Sequence, residues 1–275
     1  MDDLRGRVAV VTGSGSGIGR ATAMSLARAG VKVVVSDING DRAERVAQEI
    51  TDSDGTALGL ACDVTSDEDV ALLRSGTMAA YGQVDIVMNN VGALAIGRPE
   101  DIPLSAWQRA FELNVLSVAR TIAVFLPDML ARGSGHIINT ASTAGLYAYS
   151  FERLPYSATK GAVVALSEAL ALYTRPQGVG VTLLCPGPVV SNIVEQMTMY
   201  GDAPRLHGPG LPTLAAEVVG EQVVRAVRDN TYLLITHPEI HDLLVERAQD
   251  PEGFLEGQIA TILAQDEAAL RESDA

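Results

Sequence analysis

Short apolar runs alternate with longer stretches of helical periodicity along nearly the whole chain, and that alternation limits the fold more than any other feature. Runs of strand length occupy 7–12, 31–36, 57–63, 84–89, 136–141 and 179–185, with a short last one at 232–236. Helical patterns fall between them at 17–29, 40–50, 66–81, 105–131, 156–175 and 218–228. A repeated strand–helix order means parallel strands, right-handed crossovers and helices on both faces of one sheet. The expected fold class is therefore α/β, a doubly wound parallel sheet of about seven strands. Its ligands belong at the carboxyl ends of those strands. No internal repeat or low-complexity linker interrupts the pattern, so 1–275 is expected to be a single domain.

The first strand runs straight into Thr12-Gly-Ser-Gly-Ser-Gly-Ile-Gly19 and then a helix. Glycines permit positive φ and let the backbone approach a pyrophosphate at the positive end of that helix. Such a turn between a first strand and a first helix points to a Rossmann-type dinucleotide site. The second strand ends at Asp37, 18 residues beyond Gly19. A carboxylate there accepts hydrogen bonds from adenosine ribose hydroxyls and repels a 2′-phosphate. Neither Ser16 nor Ile38 supplies a cation to offset it, so NAD is expected over NADP. The alternative is that Asp37 only caps its strand end.

Tyr156 and Lys160 are four residues apart in a helical stretch, so their side chains share a face. A phenol of ordinary pKa, about 10, keeps its proton at neutral pH. An ammonium close by favours the phenolate and makes the phenol a usable general acid or base. Ser142 follows an apolar run and stands where a strand end presents it to a cleft. Hydroxyl, phenol and lysine together polarise a carbonyl and move one proton. The plainer alternative is a surface tyrosine beside a solvated lysine.

In combination these features resemble the short-chain dehydrogenase/reductase family, in its ordinary-length, NAD-preferring branch. Thr12–Gly19 fits the family's Thr-Gly-x-x-x-Gly-x-Gly, and Asn89-Asn90-Val91-Gly92 resembles its Asn-Asn-Ala-Gly with valine for alanine. The resemblance implies cofactor contacts from Gly13, Ser16, Gly17, Ile18, Gly19, Asp37 and Ile38. It implies that Asp63 and Val64, in Cys62-Asp63-Val64, hold the adenine, with Asn90 and Gly92 further along. Pro186, Gly187, Val189 and Ser191 match the turn beside the nicotinamide. Asn114, Ser142, Tyr156 and Lys160 match the catalytic positions, Asn114 as anchor of a water-mediated relay and Lys160 as both ribose ligand and tuner of Tyr156. Asn114 has an alternative role, tying a mid-helix kink to a neighbouring backbone; Asn90 is expected to hold its strand end beside the cofactor. The implied activity is NAD-dependent interconversion of a secondary alcohol and a ketone, oxidation being the expected direction. A homotetramer or homodimer is implied as well, with the helix after Tyr156 as one interface.

The departures concern the substrate. The separation of Ser142 and Tyr156 exceeds the commonest family spacing, and the loop between them holds Tyr147, Tyr149, Phe151 and Leu154 around Glu152-Arg153. Aromatic residues make up only 4% of the chain, so their clustering there points to a pocket wall and an apolar, fairly bulky substrate. A subunit contact is the alternative. A second loop, about 188–215, carries Met197, Met199, Tyr200 and Leu206 and is expected to cover the substrate. Beyond the last strand, an extension at about 239–275 has helical spacing broken at Asp250-Pro251, so two short helices are expected to cap a neighbour or the pocket rim.

The formal net charge of −14 argues against nucleic acid and against anionic membrane surfaces as partners. No apolar run looks long enough to span a bilayer, and the polar N-terminus lacks a signal-peptide pattern. Cys62 and Cys185 read as reduced buried thiols, which together with these features suggests a cytoplasmic protein. The four histidines are scattered and no metal site is expected. Two other function classes fit the same scaffold: non-redox chemistry such as dehydration or epimerisation, and a cofactor-bound regulatory protein. The intact Asn114, Ser142, Tyr156 and Lys160 set speaks against the second.

Overall fold

The computed structural model describes residues 3–202 and 205–273. Residues 203–204 of the long loop and 274–275 of the C-terminal extension lie outside the described residues. The first half of the chain reads β1 (Val8–Thr12), α1 (Gly17–Arg28), β2 (Lys32–Asp37), α2 (Gly40–Asp52), β3 (Thr56–Ala61), α3 (Asp67–Tyr81), β4 (Ile86–Asn89), β5 (Leu94–Ile96), α4 (Leu104–Phe111) and α5 (Ser117–Arg132). The second half reads β6 (Gly135–Thr140), α6 (Leu154–Thr174), β7 (Val179–Cys185), β8 (Met197–Met199), α7 (Ala216–Arg228), β9 (Leu233–Ile235), α8 (Ile240–Gln249) and α9 (Pro251–Ser273). Seven strands form one parallel sheet in the order β3-β2-β1-β4-β6-β7-β9, the expected doubly wound arrangement. Strand order reverses between β1 and β4, which opens a crevice at their carboxyl ends.

Side chains alternate across the sheet because successive strand residues point to opposite faces. Val11, Val33, Val35 and Met88 pack on one face with Leu26 of α1, Val46 and Ile50 of α2, and Val223 of α7. Val10, Val34, Val87 and Ile137 pack on the other with Val70 and Leu73 of α3 and Phe125 and Met129 of α5. With both faces covered, the inner strands are buried on both sides and mostly apolar, and polar residues within them such as His136, Asn139 and Thr182 are hydrogen-bonded. Asn39 and Ser66 cap α2 and α3 by accepting from Arg42 N at 3.0 Å and Asp69 N at 3.1 Å. Gly82 ends α3 in the left-handed conformation at φ 77°. Cys62 and Cys185 are free and buried.

Four features depart from expectation. The long helix expected at 105–131 is present at 104–132, 29 residues, but it contains an unexpected π-turn at Glu112–Leu116 that joins α4 to α5. By length and composition alone that helix is long and apolar enough to cross a bilayer, contrary to the sequence reading. Here it lies along the sheet, with Phe125, Leu126 and Met129 buried against Val87 and Ile137. Strands β5 and β8 pair in parallel as a separate two-stranded ribbon, Leu94 opposite Met197 and Ile96 opposite Met199. Lastly, α9 is not short: it runs 23 residues.

Candidate active site

The crevice between β1 and β4 widens into a cleft of about 440 Å³. On one side lies the glycine turn, with Gly13 and Gly17 at φ +61° and +54°, where an L side chain is strained. A Cβ on Gly19 would come within 2.6 Å of Asn90 Nδ2, so α1 and the β4 end approach this closely only through glycine. Asn90 fastens the two halves: its Nδ2 donates to Thr12 O at 3.3 Å and Gly13 O at 3.2 Å. No side chain caps α1 and its first turn holds no acid, which leaves its N-terminal N–H groups for an anion. Gly13, Ser16, Gly17, Ile18, Asn90 and Gly92 line the cleft on this side, and Pro186, Gly187, Val189 and Ser191 on the other.

Asp37, Ile38, Asp63 and Val64 do not line that cleft. They stand at the carboxyl ends of β2 and β3, where Cys62 N donates to Asp37 O at 2.9 Å. Asp37 accepts from Gly15 N and Asn39 N, both at 3.0 Å, which aims the carboxylate at the turn. The amide and hydroxyl of Thr65 hold the Asp63 carboxyl below the usual carboxylate range. Gly19 and Asn114 also sit behind the cleft surface. Asn114, 1% exposed in the π-turn, accepts from Ala93 N at 2.8 Å and donates to Ala93 O at 3.1 Å and Thr159 Oγ1 at 2.9 Å. A Cβ on Gly92 would stand 3.3 Å from Lys160 Nζ and 3.4 Å from Asn114 Oδ1, so both polar groups converge on that backbone position.

The opposite wall comes from β6 and α6. Ser142 lies two residues beyond the end of β6 and caps a single 3₁₀ turn, its Oγ accepting from Ala144 N at 3.2 Å. Tyr156 and Lys160 lie one turn apart near the start of α6 and, with Ser142, line the cleft. Lys160 Nζ donates to Thr140 O at 2.7 Å and lies 5.6 Å from the centroid of the Tyr156 ring. Burial weakens its ammonium, bringing its pKa down to about 8. The phenol of Tyr156 is pushed up to about 12, chiefly by burial, with the Ser142 hydroxyl pulling it back only in part. The expected lowering by Lys160 is therefore absent here, because the lysine spends its bond on Thr140 and is itself desolvated.

The substrate end differs most from expectation. Tyr147 does not wall the cleft; it is 3% exposed and packs edge-on against Phe254 of α9, ring centroids 6.0 Å apart. Phe151 and Leu154 do not line the cleft either, Phe151 lying with its ring 5.7 Å from that of His207, which leaves Tyr149 and Arg153 from that loop on the cleft surface. In the long loop Met197 and Met199 belong to β8 and Tyr200 joins a small cluster with Trp107, while Leu206 lines the cleft. The base of the loop is pinned by Val190 N to Leu214 O at 2.9 Å and Leu214 N to Pro188 O at 3.0 Å.

Sequence reasoning missed Arg42 and His207. Arg42 follows Asp37 by five residues, and its Nη1 pairs at 2.8 Å with Glu195 of the long loop, bridging the mouth near the glycine turn. Its place in the first turn of α2, close behind a strand-end acid, was the available signal. His207 lines the cleft at 2% exposure, and no local pattern marked it.

Comparison with known proteins agrees with this geometry. The family model for short chain dehydrogenases matches residues 7–199. The 1-deoxy-11-beta-hydroxypentalenate dehydrogenase of Streptomyces exfoliatus is 34% identical over 250 residues, 90% of this chain and 89% of that one. The D-beta-hydroxybutyrate dehydrogenase of Rhizobium meliloti is 32% identical over 256 residues, 91% and 95% of the two chains. Among solved structures, a short chain dehydrogenase/reductase from Burkholderia phymatum in complex with NAD superposes with a TM-score of 0.81 at 32% identity, covering 92% of this chain and 96% of that one. A 7 alpha-hydroxysteroid dehydrogenase with NADH and 7-oxo glycochenodeoxycholic acid gives 0.76 at 28%, covering 86% and 95%. A family model matching residues 7–199, a shared fold and a third of the sequence over nine-tenths of the length place this chain in the short-chain dehydrogenase/reductase family.

Proposed function

We propose that this protein is an NAD-dependent oxidoreductase that interconverts a secondary alcohol and its ketone. The observation that carries the reading is the convergence of Ser142, Tyr156 and Lys160 on the cleft that the glycine turn opens. The turn fits a dinucleotide: its glycines leave room for a pyrophosphate, and Asp37 is aimed to meet ribose hydroxyls and to repel a 2′-phosphate. Arg42 does not reverse that preference, since its guanidinium is engaged by Glu195. When bound, the nicotinamide supplies or accepts the hydride.

The chain's own residues handle the proton and the oxygen. The Ser142 hydroxyl holds the substrate oxygen, and the Tyr156 phenol gives or takes its proton. With its pKa pushed up to about 12, that phenol is already protonated for reduction at neutral pH. Oxidation requires its proton to leave first and gains from rising pH. Lys160, held by Thr140 O on the cleft surface, fixes a ribose. Asn114 holds the Ala93 backbone beside Gly92, where a relay starts. Leu94, Ile193, Leu206 and Tyr149 favour an apolar, fairly bulky substrate body. Exposed Leu104, Phe111, Leu116, Leu172 and Tyr173 on α4, the π-turn and α6 support a homodimer or homotetramer.

The test is a panel of secondary alcohols and ketones followed by NADH absorbance. Tyr156→Phe is expected to lower turnover by at least about a hundredfold while leaving NADH binding within twofold. A variant that keeps its activity defeats the assignment.

A further inference from the structure

The outer wall of the cleft is organised by a buried carboxylate that the Ser142, Tyr156 and Lys160 set does not use. Glu152, in the loop before α6, has no exposed surface. Its Oε1 accepts from the backbone N–H of His207 and lies 3.2 Å from Nδ1 of the same residue. The other ring nitrogen, Nε2, lies 2.9 Å from Asp266 Oδ1 on α9. Each ring nitrogen of His207 therefore faces a carboxylate oxygen, one from the wall and one from α9. The charged groups that face His207 are Glu152 and Arg153 from the wall and Asp266 from α9. A carboxylate buried this completely is strongly unfavourable without such partners.

The same three segments are joined by further bonds. Arg153 Nη2 donates to His207 O at 2.6 Å, holding the wall to the loop from inside. From outside, Arg205 donates to the Gln265 carbonyl, and Gln265 Nε2 donates to Gly208 O at 3.3 Å. Leu206, His207 and Gly208 line the cleft together with Tyr149 and Arg153. What α9 grips is therefore a cavity wall. The two ring nitrogens point apart, so the carboxylates do not converge, and among the described residues no group of three such side chains could hold a metal ion.

We propose that Glu152, His207 and Asp266 form a positioning clamp through which α9 sets the substrate-facing wall of the cleft. The clamp rests on the reading of this cleft as the substrate site. Its members are positioning residues: they act through the placement of Arg153, Tyr149 and Leu206, while Ser142, Tyr156 and Lys160 stay anchored on β6 and α6. Loosening the clamp weakens substrate binding and spares the chemical step.

The test uses the full-length chain with Asp266→Ala, Asp266→Asn and a control, Glu267→Ala, an exposed neighbour on α9 that pairs with Arg271. Without any substrate, amide exchange at 205–208 is expected to be at least tenfold faster in Asp266→Ala, intermediate in Asp266→Asn and unchanged in the control. Exchange across 13–19 should not move. With a substrate in hand, Asp266→Ala should raise its KM at least fivefold, with kcat and the cofactor KM within twofold. Unchanged exchange at 205–208 overturns the clamp whether or not any alcohol is oxidised. Faster exchange with an unaltered KM overturns its role in the substrate wall. Activity surviving in Tyr156→Phe strikes the catalytic reading instead and leaves the exchange result standing.

Discussion

Replacing Lys160 by methionine sets a gain in stability against a loss of turnover. Lys160 is 3% exposed, and burial brings its pKa from 10.5 to about 8. The ammonium is the species penalised, so at pH 7 the fold carries an unfavourable charge worth about 3 kcal/mol. That penalty is complete below pH 8, shrinks as the pH approaches 10.5 and vanishes above it. Methionine fills a similar volume without the charge, but it leaves Thr140 O without its 2.7 Å donor, which costs about 1 kcal/mol. The net expectation at pH 7 is a gain of about 2 kcal/mol, or a rise in Tm of roughly 4 °C for a chain of this size. At pH 10 the charge penalty falls to about 1 kcal/mol and the two proteins should melt together. Urea or thermal unfolding of both, without added nucleotide, at pH 7 and pH 10 measures the difference. A variant less stable than the parent at pH 7, or a gap of equal size at both pH values, refutes the reasoning. Turnover should fall by at least about a hundredfold, since the ammonium proposed to hold the ribose beside Tyr156 is gone.

Cofactor choice is expected to follow the end of β2: Ile38 is 69% exposed and can become arginine without loss of packing. Asp37→Asn combined with Ile38→Arg should shift the ratio of kcat/KM for NADP over NAD by roughly 10- to 100-fold, the value of one charge-assisted phosphate bond; a parent enzyme that already prefers NADPH contradicts the role given to Asp37. His136 is expected to make the fold acid-sensitive, because burial takes its pKa from 6.5 to about 3. The unfolded chain then binds a proton that the folded chain refuses, and stability drops as pH falls below 6.5, by about 2 kcal/mol at pH 5. His136→Gln should flatten that part of the urea-unfolding profile; parallel profiles for the two proteins disprove it.

The sheet was legible because its signal is long-ranged in sequence yet local in form: the strands β1, β2, β3, β4, β6 and β7 are mainly apolar runs separated by stretches of helical periodicity. The glycine turn and Asp37 were legible for the same reason, as they follow a strand at fixed distances. Strands β5 and β8 were not, since three residues each are too few to show a period. Tyr147 was misread because an aromatic cluster in sequence says nothing about which rings turn inward, and its partner, Phe254, is far along the chain. Glu152, His207 and Asp266 share no local pattern: 55 and 59 residues separate the bonded pairs. The pKa of Tyr156 escaped prediction because spacing fixes only that Lys160 is near, while burial and Thr140 decide what it does.

The reversal of strand order between β1 and β4 also has a consequence for how the molecule is made. Local pairings, β1 with β2 and β2 with β3, need little chain between them, whereas Val11 meets Met88 and Asn90 grips Gly13 across 77 residues. Closing a loop of that size costs entropy before any contact offsets it, so pairings of this kind slow folding. A β1–β3 half with its helices can gather early and still hold no binding crevice. The crevice comes into being only when β4 docks and Asn90 reaches the glycine turn, which couples acquisition of the nucleotide site to the late, long-range step of folding.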